Sequence, residues 1–513
     1  MSDTVTLNRT LKLPSLVIFG LAYLTPLIVL GIFGVIASQT NGASASAYLL
    51  ALGAMLFTAN SYGRMAAAYP VAGSAYTYVR KTIDGRIGFL VGWATMLDYL
   101  FLPMVIWLIG GSYLQAQFPA VPMAVWIIGF IILTTVLNVV GIKVADRVNL
   151  ILMSFQILVI VFFVALSLAD VFASDGGAGL ISAAPFTGID STLVAIGGGA
   201  AVAAYSFLGF DAVTTFTEET IDPRRTVPKA IMLIALIGGG IFVVVAYAVQ
   251  LVHPGGVFEN SDAAAFEIAK SIGGHLFGAI FLAALVIAQF TSGIAAQAAG
   301  SRLLYAMGRD GVLPRSFFGK LSPRFHTPVL SLLAIAVIGL IAIFMNVATS
   351  TSFINFGAFL AFIMVNVSVI VYWARERRGG RSLNVWLYFF CPIIGVLVIC
   401  FLLTQLDVHA ITLGAIWLVV GAVILAVTTK GFRTQPSELA VDSVDSDLPE
   451  AAQQVRAERR SSERSRTETT AAPLSPPFEE ILRSPRSSSG CRGARSRSCP
   501  RHEHPRRRSR DHR

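Results

Sequence analysis

The sequence predicts an all-α integral membrane protein with about 12 transmembrane helices. Three observations carry that prediction. Hydrophobic residues fill 55% of the 513 positions and charged residues only 13%, at a mean hydropathy of +0.70; soluble domains carry roughly a quarter charged residues. Apolar runs long enough to cross the hydrocarbon, about 20 residues as a helix, recur along the chain. The loops between these runs alternate between basic and nearly free of Lys and Arg.

In chain order the runs fall at 14–37, 45–68, 87–116, 121–141, 148–170, 192–217, 230–252, 274–301, 328–346, 351–373, 384–404 and 410–429. Polar residues, Gly or Pro separate each from the next. Lys and Arg collect in cytoplasmic loops. The arm at 1–13 holds Arg9 and Lys12, and every second loop after it is basic. These loops carry Arg80, Lys81 and Arg86; Lys143 and Arg147; Arg224, Arg225 and Lys229; Arg309, Arg315, Lys320 and Arg324; and Arg375, Arg377, Arg378 and Arg381. The intervening loops hold Lys270 and otherwise neither residue. This alternation predicts an even number of spans with both termini in the cytoplasm. The first run is too long for a signal-peptide core and no small-residue cleavage pattern follows it.

Residues 14–430 thus form the transmembrane domain. From 431 to 513 apolar periodicity is lost and Arg, Ser, Pro and Glu dominate, which predicts a disordered basic cytoplasmic tail. Its basic end suits anionic headgroups at about 1 kcal/mol per Lys or Arg; the plainer reading is a solvated tail, and no nucleic-acid partner is expected. Cys391 and Cys400 share one expected helix, too far apart to bridge at about 1.5 Å per residue. Cys491 and Cys499 lie in the tail. No disulfide framework or metal spacing is present, so neither metal nor cofactor is expected.

In many transporters the substrate site lies near the midplane, where two helices are interrupted at matching positions of an inverted repeat. The first run, GLAYLTPLIVLGIFG, carries Pro26 between Gly20 and Gly31, and proline removes a rung of the hydrogen-bond ladder. The sixth carries Gly209 between Phe207 and Asp211, flanked by Tyr205 and Ser206. One interruption opens the first five runs and the other the next five. That correspondence lifts both above the packing role lone Gly and Pro usually have in membrane helices.

Stretches through nearly the whole membrane region then carry a resemblance. GLAYLTP (20–26), SAYLLAL (46–52), LFTANSYG (56–63), AGSAYTYV (72–79), GWATMLDYLFLPM (92–104), YSFLGFDAVTTFTEET (205–220), PKAI (228–231), SRLLYAMGRDGVLP (301–314) and INFGAFLAF (354–362) resemble bacterial permeases of the amino acid-polyamine-organocation superfamily, most of all its putrescine importer branch. The resemblance implies an inverted five-plus-five helix repeat with broken helices 1 and 6 around the site, plus two extra helices. The tail lies outside it.

Amino acid permeases of that superfamily typically carry G-x-G in the first span, where freed backbone N–H groups hold the substrate carboxylate. The matching positions here read Val29, Leu30, Gly31, which suits a substrate without a carboxylate. An alkyl diammonium needs an acceptor at each end and an apolar or aromatic wall between. The residues expected to supply these are Thr25, Pro26 and Val29 in the first span, Asp98 and Tyr99 in the third, and Tyr205, Ser206, Phe207, Phe210 and Asp211 in the sixth. Asp98 and Tyr99 are included through the resemblance. Plainer roles are a structural pair for Asp98, a gating carboxylate for Asp211 and core packing for Tyr99. Glu218 and Glu219 read as a charge cluster with Arg224 and Arg225.

A carboxylate at the bilayer centre costs on the order of 3 kcal/mol. Desolvation makes such a group hold its proton, and an arriving ammonium releases it, so Asp211 is a candidate coupling residue. Some relatives use a fifth-span lysine for this, and 148–170 contains none. Sodium is the competing ion, with Thr291 and Ser292 as candidate oxygen ligands facing the first break.

Other classes of function fit poorly. An enzyme needs a nucleophile with a base or a metal cluster, and His253, His275, His326 and His409 are scattered; a channel needs polar residues lining several helices. The sequence therefore points to a proton-coupled secondary transporter importing a small organic cation, putrescine or a related polyamine, across the bacterial cytoplasmic membrane. The alternatives are a permease for cationic or small neutral amino acids and, more remotely, a solute receptor. The partners are a small-molecule substrate and the lipid bilayer, with the oligomeric state left open.

Overall fold

A computed structural model describes residues 10–70, 75–141, 146–309, 313–325, 327–429 and 431. Arg9, Lys143, His326, residues 72–74 of one matched stretch, Asp310 to Val312 of another, and the tail beyond 431 with Cys491 and Cys499 lie outside the described residues. So do the side chains of Arg147, Glu218 and Arg309.

The helices follow the apolar runs. They are α1 (Leu13–Leu24), α2 (Ile28–Gly31), α3 (Phe33–Gln39), α4 (Ser44–Ala68), α5 (Ala75–Thr82), α6 (Gly85–Gln117), α7 (Met123–Val140), α8 (Asp146–Gly179), α9 (Ala184–Thr187), α10 (Leu193–Ala203), α11 (Pro223–Val252), α12 (Ala264–Arg309), α13 (Val329–Gly339), α14 (Val347–Arg378), α15 (Cys391–Thr404) and α16 (Val408–Thr428). Among the described residues the extended pairing is confined to one isolated bridge, Leu11 with Thr220. Several helices outrun the apolar signal because polar turns extend beyond the hydrocarbon. α11 begins at Pro223, where a missing N–H is harmless; α12 leaves helical geometry at Gly274 (φ 68°).

Ten helices are long and apolar enough to cross a membrane, or eleven if Phe33–Gln39 and Ser44–Ala68, bent by 102°, form one span. Each of the twelve expected runs holds a helix, and two differ in form from the rest. The 45–68 run is diluted by Ser, Thr, Asn and Arg and qualifies only together with α3, and the 328–346 run is the shorter helix Val329–Phe344.

Helices approach closely where residues are small, as membrane packing favours. Gly357 of α14 lies against the Ala94 carbonyl of α6, and Gly300 of α12 against the Tyr99 carbonyl. Buried amides tie the helices further. Asn366 of α14 accepts from Ser61 (2.6 Å) and donates to Thr58 (3.3 Å) of α4, and Asn138 of α7 donates to Gln297 of α12 (3.0 Å).

The two ends of the first span differ. Leu27, Val29, Leu30, Ile32, Phe33, Ile36 and Ala37 are wholly buried. The turn after them is covered by two loops: Ile189 N–H donates to the Asn41 carbonyl (2.8 Å) and Ser38 Oγ to the Gly256 carbonyl (2.8 Å). At the opposite end α1 exposes Ile18, Phe19 and Tyr23. There the preceding segment is pinned to the sixth span's end, with Thr10 and Leu11 N–H donating to the Glu219 carbonyl (2.9 and 3.0 Å) and Ile221 N–H to the Leu11 carbonyl (3.0 Å).

Candidate functional site

The first helix stops where Pro26 removes an N–H. Thr25 takes left-handed geometry (φ 49°, ψ 75°), because the residue before proline is pushed out of the right-handed helical region. Ile28 N–H then reaches back to the Thr25 carbonyl (2.9 Å) as α2 begins. Farther along, Tyr113 of α6 donates its hydroxyl to the Leu30 carbonyl (2.7 Å).

The sixth span changes character at Ala203. α10 gives way to a 3-10 turn, Ala204–Phe207; Leu208 is extended (ψ 130°), Gly209 has φ 96°, and a second 3-10 helix, Ala212–Glu219, follows. Asp211 is the residue that begins this second helix, where backbone N–H groups favour a carboxylate. Glycine is required at 209 for two reasons. Its φ is unfavourable for any side chain, and a Cβ would stand 2.1 Å from Cδ1 of Tyr23. The Tyr23 ring lies on Gly209 and so joins the two interruptions.

These elements bring a set of polar groups together. Asp98 and Asp211 lie within electrostatic reach of one another, Tyr23 within reach of both, and Tyr205 within reach of Asp98. The Tyr62 hydroxyl of α4 interacts with the Asp211 carboxylate. Tyr23 is 45% exposed. Thr25, Asp98, Tyr99, Asp211 and Ser292 also keep part of their surface accessible. One oxygen of Asp98, Oδ1, is buried without a hydrogen-bond partner, and among the described residues neither carboxylate is paired with Lys or Arg.

Other expected site residues turn elsewhere. A 3-10 turn has three residues per turn, so Tyr205, Ser206 and Phe207 point to three different neighbours. Ser206 Oγ contacts the Tyr48 hydroxyl (3.2 Å), and the Phe207 ring meets Phe242 of α11 edge-on at 5.2 Å. Both are buried in packing, which differs from their expected role as substrate contacts. Val29 is likewise fully buried, as is Phe210, which packs on Tyr62 (5.6 Å) and Phe362 (5.5 Å). Pro26 is buried at the break it creates.

The two candidate sodium ligands part company. Ser292 Oγ meets Thr25 Oγ1 at 3.2 Å, whereas Thr291 bonds the Ile287 and Ala288 carbonyls of its own helix (2.9 and 3.1 Å). The expected Glu219 cluster is also absent among the described residues: Arg225 pairs with Asp222 at 3.9 Å. Tyr23 and Tyr62 were not expected from the sequence. Their signal was present, since each stands inside a matched stretch, Tyr23 beside the first break.

A bundle of membrane-spanning helices with two carboxylates beside paired chain interruptions defines a multi-pass membrane transport protein. The chain belongs to the amino acid permease family, whose profile matches residues 15–437. It is 38% identical to the low-affinity putrescine importer PlaP of Escherichia coli (strain K12) over 436 residues, 84% of this chain and 96% of that protein. It is 26% identical to the branched-chain amino acid permease BcaP of Bacillus subtilis (strain 168), over 74% of this chain and 83% of that protein. The methylthioribose transporter of the same organism is 26% identical over 82% and 94%. These are permeases, and this protein is not an enzyme.

Proposed function

We propose that this protein is a secondary active transporter that imports putrescine or a related polyamine by alternating access. The observation that carries this reading is the pair Asp98 and Asp211, which lie within electrostatic reach of one another, each partly accessible and, among the described residues, with no Lys or Arg to neutralise them. A buried carboxylate oxygen without a donor is costly, and an ammonium supplies three donors. Tyr23 provides an aromatic face on which a cation rests, with Tyr205 buried within reach of Asp98. The likeness to a putrescine importer over nearly its whole length supports the same substrate class.

Substrate contact in this reading falls to Asp98, Asp211, Tyr23, Tyr99, Tyr205 and Thr25. Alternation between basic and neutral loops supports cytoplasmic termini in a bacterial cytoplasmic membrane, with the inverted five-plus-five repeat as its architecture. The coupling ion is a proton carried by Asp211. Thr291 satisfies itself within its helix, which leaves Ser292 and Thr25 as a meagre oxygen set for sodium. No cofactor takes part.

An amino acid substrate is the second reading, favoured by the branched-chain permease among the relatives. Uptake of radiolabelled putrescine into proteoliposomes under an inward proton gradient separates the two. Accumulation blocked by diamines and indifferent to amino acids is the expected result; competition by amino acids alone would overturn the polyamine assignment.

A further inference from the structure

Away from Asp98 and Asp211, three tyrosines stand in a row between α4, α14 and the single π-helical turn Trp386–Phe390. Tyr69 and Tyr372 meet edge-on at 6.0 Å, and Tyr372 and Tyr388 lie tilted at 32° to one another with centroids 6.4 Å apart. A cation caps each end: the Lys81 ammonium lies 5.9 Å from the Tyr69 ring centre and the Arg64 guanidinium 5.1 Å from that of Tyr388. Arg64 Nε donates to Asn60 Oδ1 (3.3 Å), while Asn60 Nδ2 donates to the Leu387 carbonyl (3.0 Å). The π turn and the guanidinium are thereby fixed to the same face of α4.

The row is short of negative charge. Arg64 sits one turn inside the end of α4, where an arginine is retained only with a partner, and its partners are a neutral amide and a ring. Among the described residues neither Arg64 nor Lys81 has a carboxylate partner, and the Tyr69, Tyr372 and Tyr388 hydroxyls make no hydrogen bond. Glu376, the neighbouring acid, is taken by Arg381 at 3.3 Å. The last turn of α14 adds Arg375, Arg377 and Arg378. Beside these donors the π turn and the residue before it present apolar surface outward: Val385 is 44%, Trp386 58% and Phe390 47% exposed.

We propose that this row binds the phosphate of an anionic phospholipid, with Arg64 and Lys81 as its charged anchors. Guanidinium, ammonium and phenol hydroxyls are donors that suit a phosphodiester, and basic residues at a helix end recognise anionic headgroups. The exposed Trp386 and Phe390 give the acyl chains a surface, as aromatic residues do at the membrane interface; a soluble phosphate would use none of it. The lipid comes from the leaflet facing the basic loops, and only this point rests on the orientation proposed above.

The test is native mass spectrometry of the full chain purified in mild detergent from membranes containing phosphatidylglycerol. Wild-type protein is expected to keep one phosphatidylglycerol per chain. R64Q/K81Q should retain it about tenfold less, the loss expected for charge-assisted contacts, while R225Q on a separate loop keeps it. W386A, which removes an exposed side chain, checks the apolar half with little risk to folding and should also lower retention. Wild-type retention by R64Q/K81Q with an unchanged melting temperature would overturn the site. Displacement of the lipid by millimolar inorganic phosphate would overturn the lipid as its ligand. Retention is read without substrate, so failure of the putrescine assignment leaves this outcome unaffected.

Discussion

Asp98 and Asp211 are expensive residues to keep at membrane depth, and the proposed substrate contact would give that expense a use. Replacing either with Asn keeps size and shape while removing the charge that an ammonium would meet. Asp98→Asn and Asp211→Asn are each expected to weaken putrescine binding by roughly 10- to 100-fold, the range of a lost charged hydrogen bond. Expression should persist, and uptake by both variants at the wild-type level would refute the assignment. Tyr62→Phe tests the support of Asp211: the ring stays in its contacts with Phe210 and Phe362 while the hydroxyl is lost, so KM is expected to rise with protein stability unchanged. Asp211 drew attention in the sequence as a charge in an apolar run, whereas Asp98 entered through the resemblance. Tyr23 and Tyr62 were not legible, since tyrosine in such a run usually packs. Phe207 and Ser206 misled for a related reason: adjacency to Asp211 in sequence says nothing of direction once the helix tightens to three residues per turn.

Interruptions of helices were readable as elements, through Pro26 and Gly209, but not their geometry. The α-to-3-10 change at Ala203 has no single-residue signal, and it decides which neighbours Tyr205, Ser206 and Phe207 meet. Gly209 carries the sharpest expectation at this scale. Gly209→Ala meets both a positive φ, costing about 1–2 kcal/mol, and a collision with Tyr23. Transport should be lost together with a lower melting temperature in detergent. Gly240→Ala is the matching control, because a Cβ there finds open space within α11 and alanine favours a helix by about 0.5–1 kcal/mol. A Gly240→Ala variant at least as stable as wild type, beside a destabilised Gly209→Ala, is the pattern that backbone geometry demands. Equal effects at both positions would mean that the break at 209 is not held as described. Helix positions were legible throughout, since each of the twelve runs holds a helix, although 45–68 follows α3 through a sharp bend and 328–346 is shorter than the rest.

For the whole molecule, the permease family match ends at residue 437, and the membrane region carries every group used in the transport reading. The chain past 431 is 82 residues with the composition of a solvated segment. Deleting it is therefore expected to leave putrescine uptake within about twofold of the full chain, an effect below about 0.4 kcal/mol, when both proteins are reconstituted at equal amounts. The same proteoliposomes test coupling. If Asp211 carries the proton, an inward proton gradient drives accumulation above equilibrium, collapsing the gradient with a protonophore stops it, and Asp211→Asn removes the gradient's effect. Replacing external sodium with choline should change nothing, because Thr291 is turned to its own helix. Accumulation that follows sodium instead would move the coupling site to Thr25 and Ser292, whose 3.2 Å contact already joins the first break to α12, and would leave Asp211 as a substrate ligand alone.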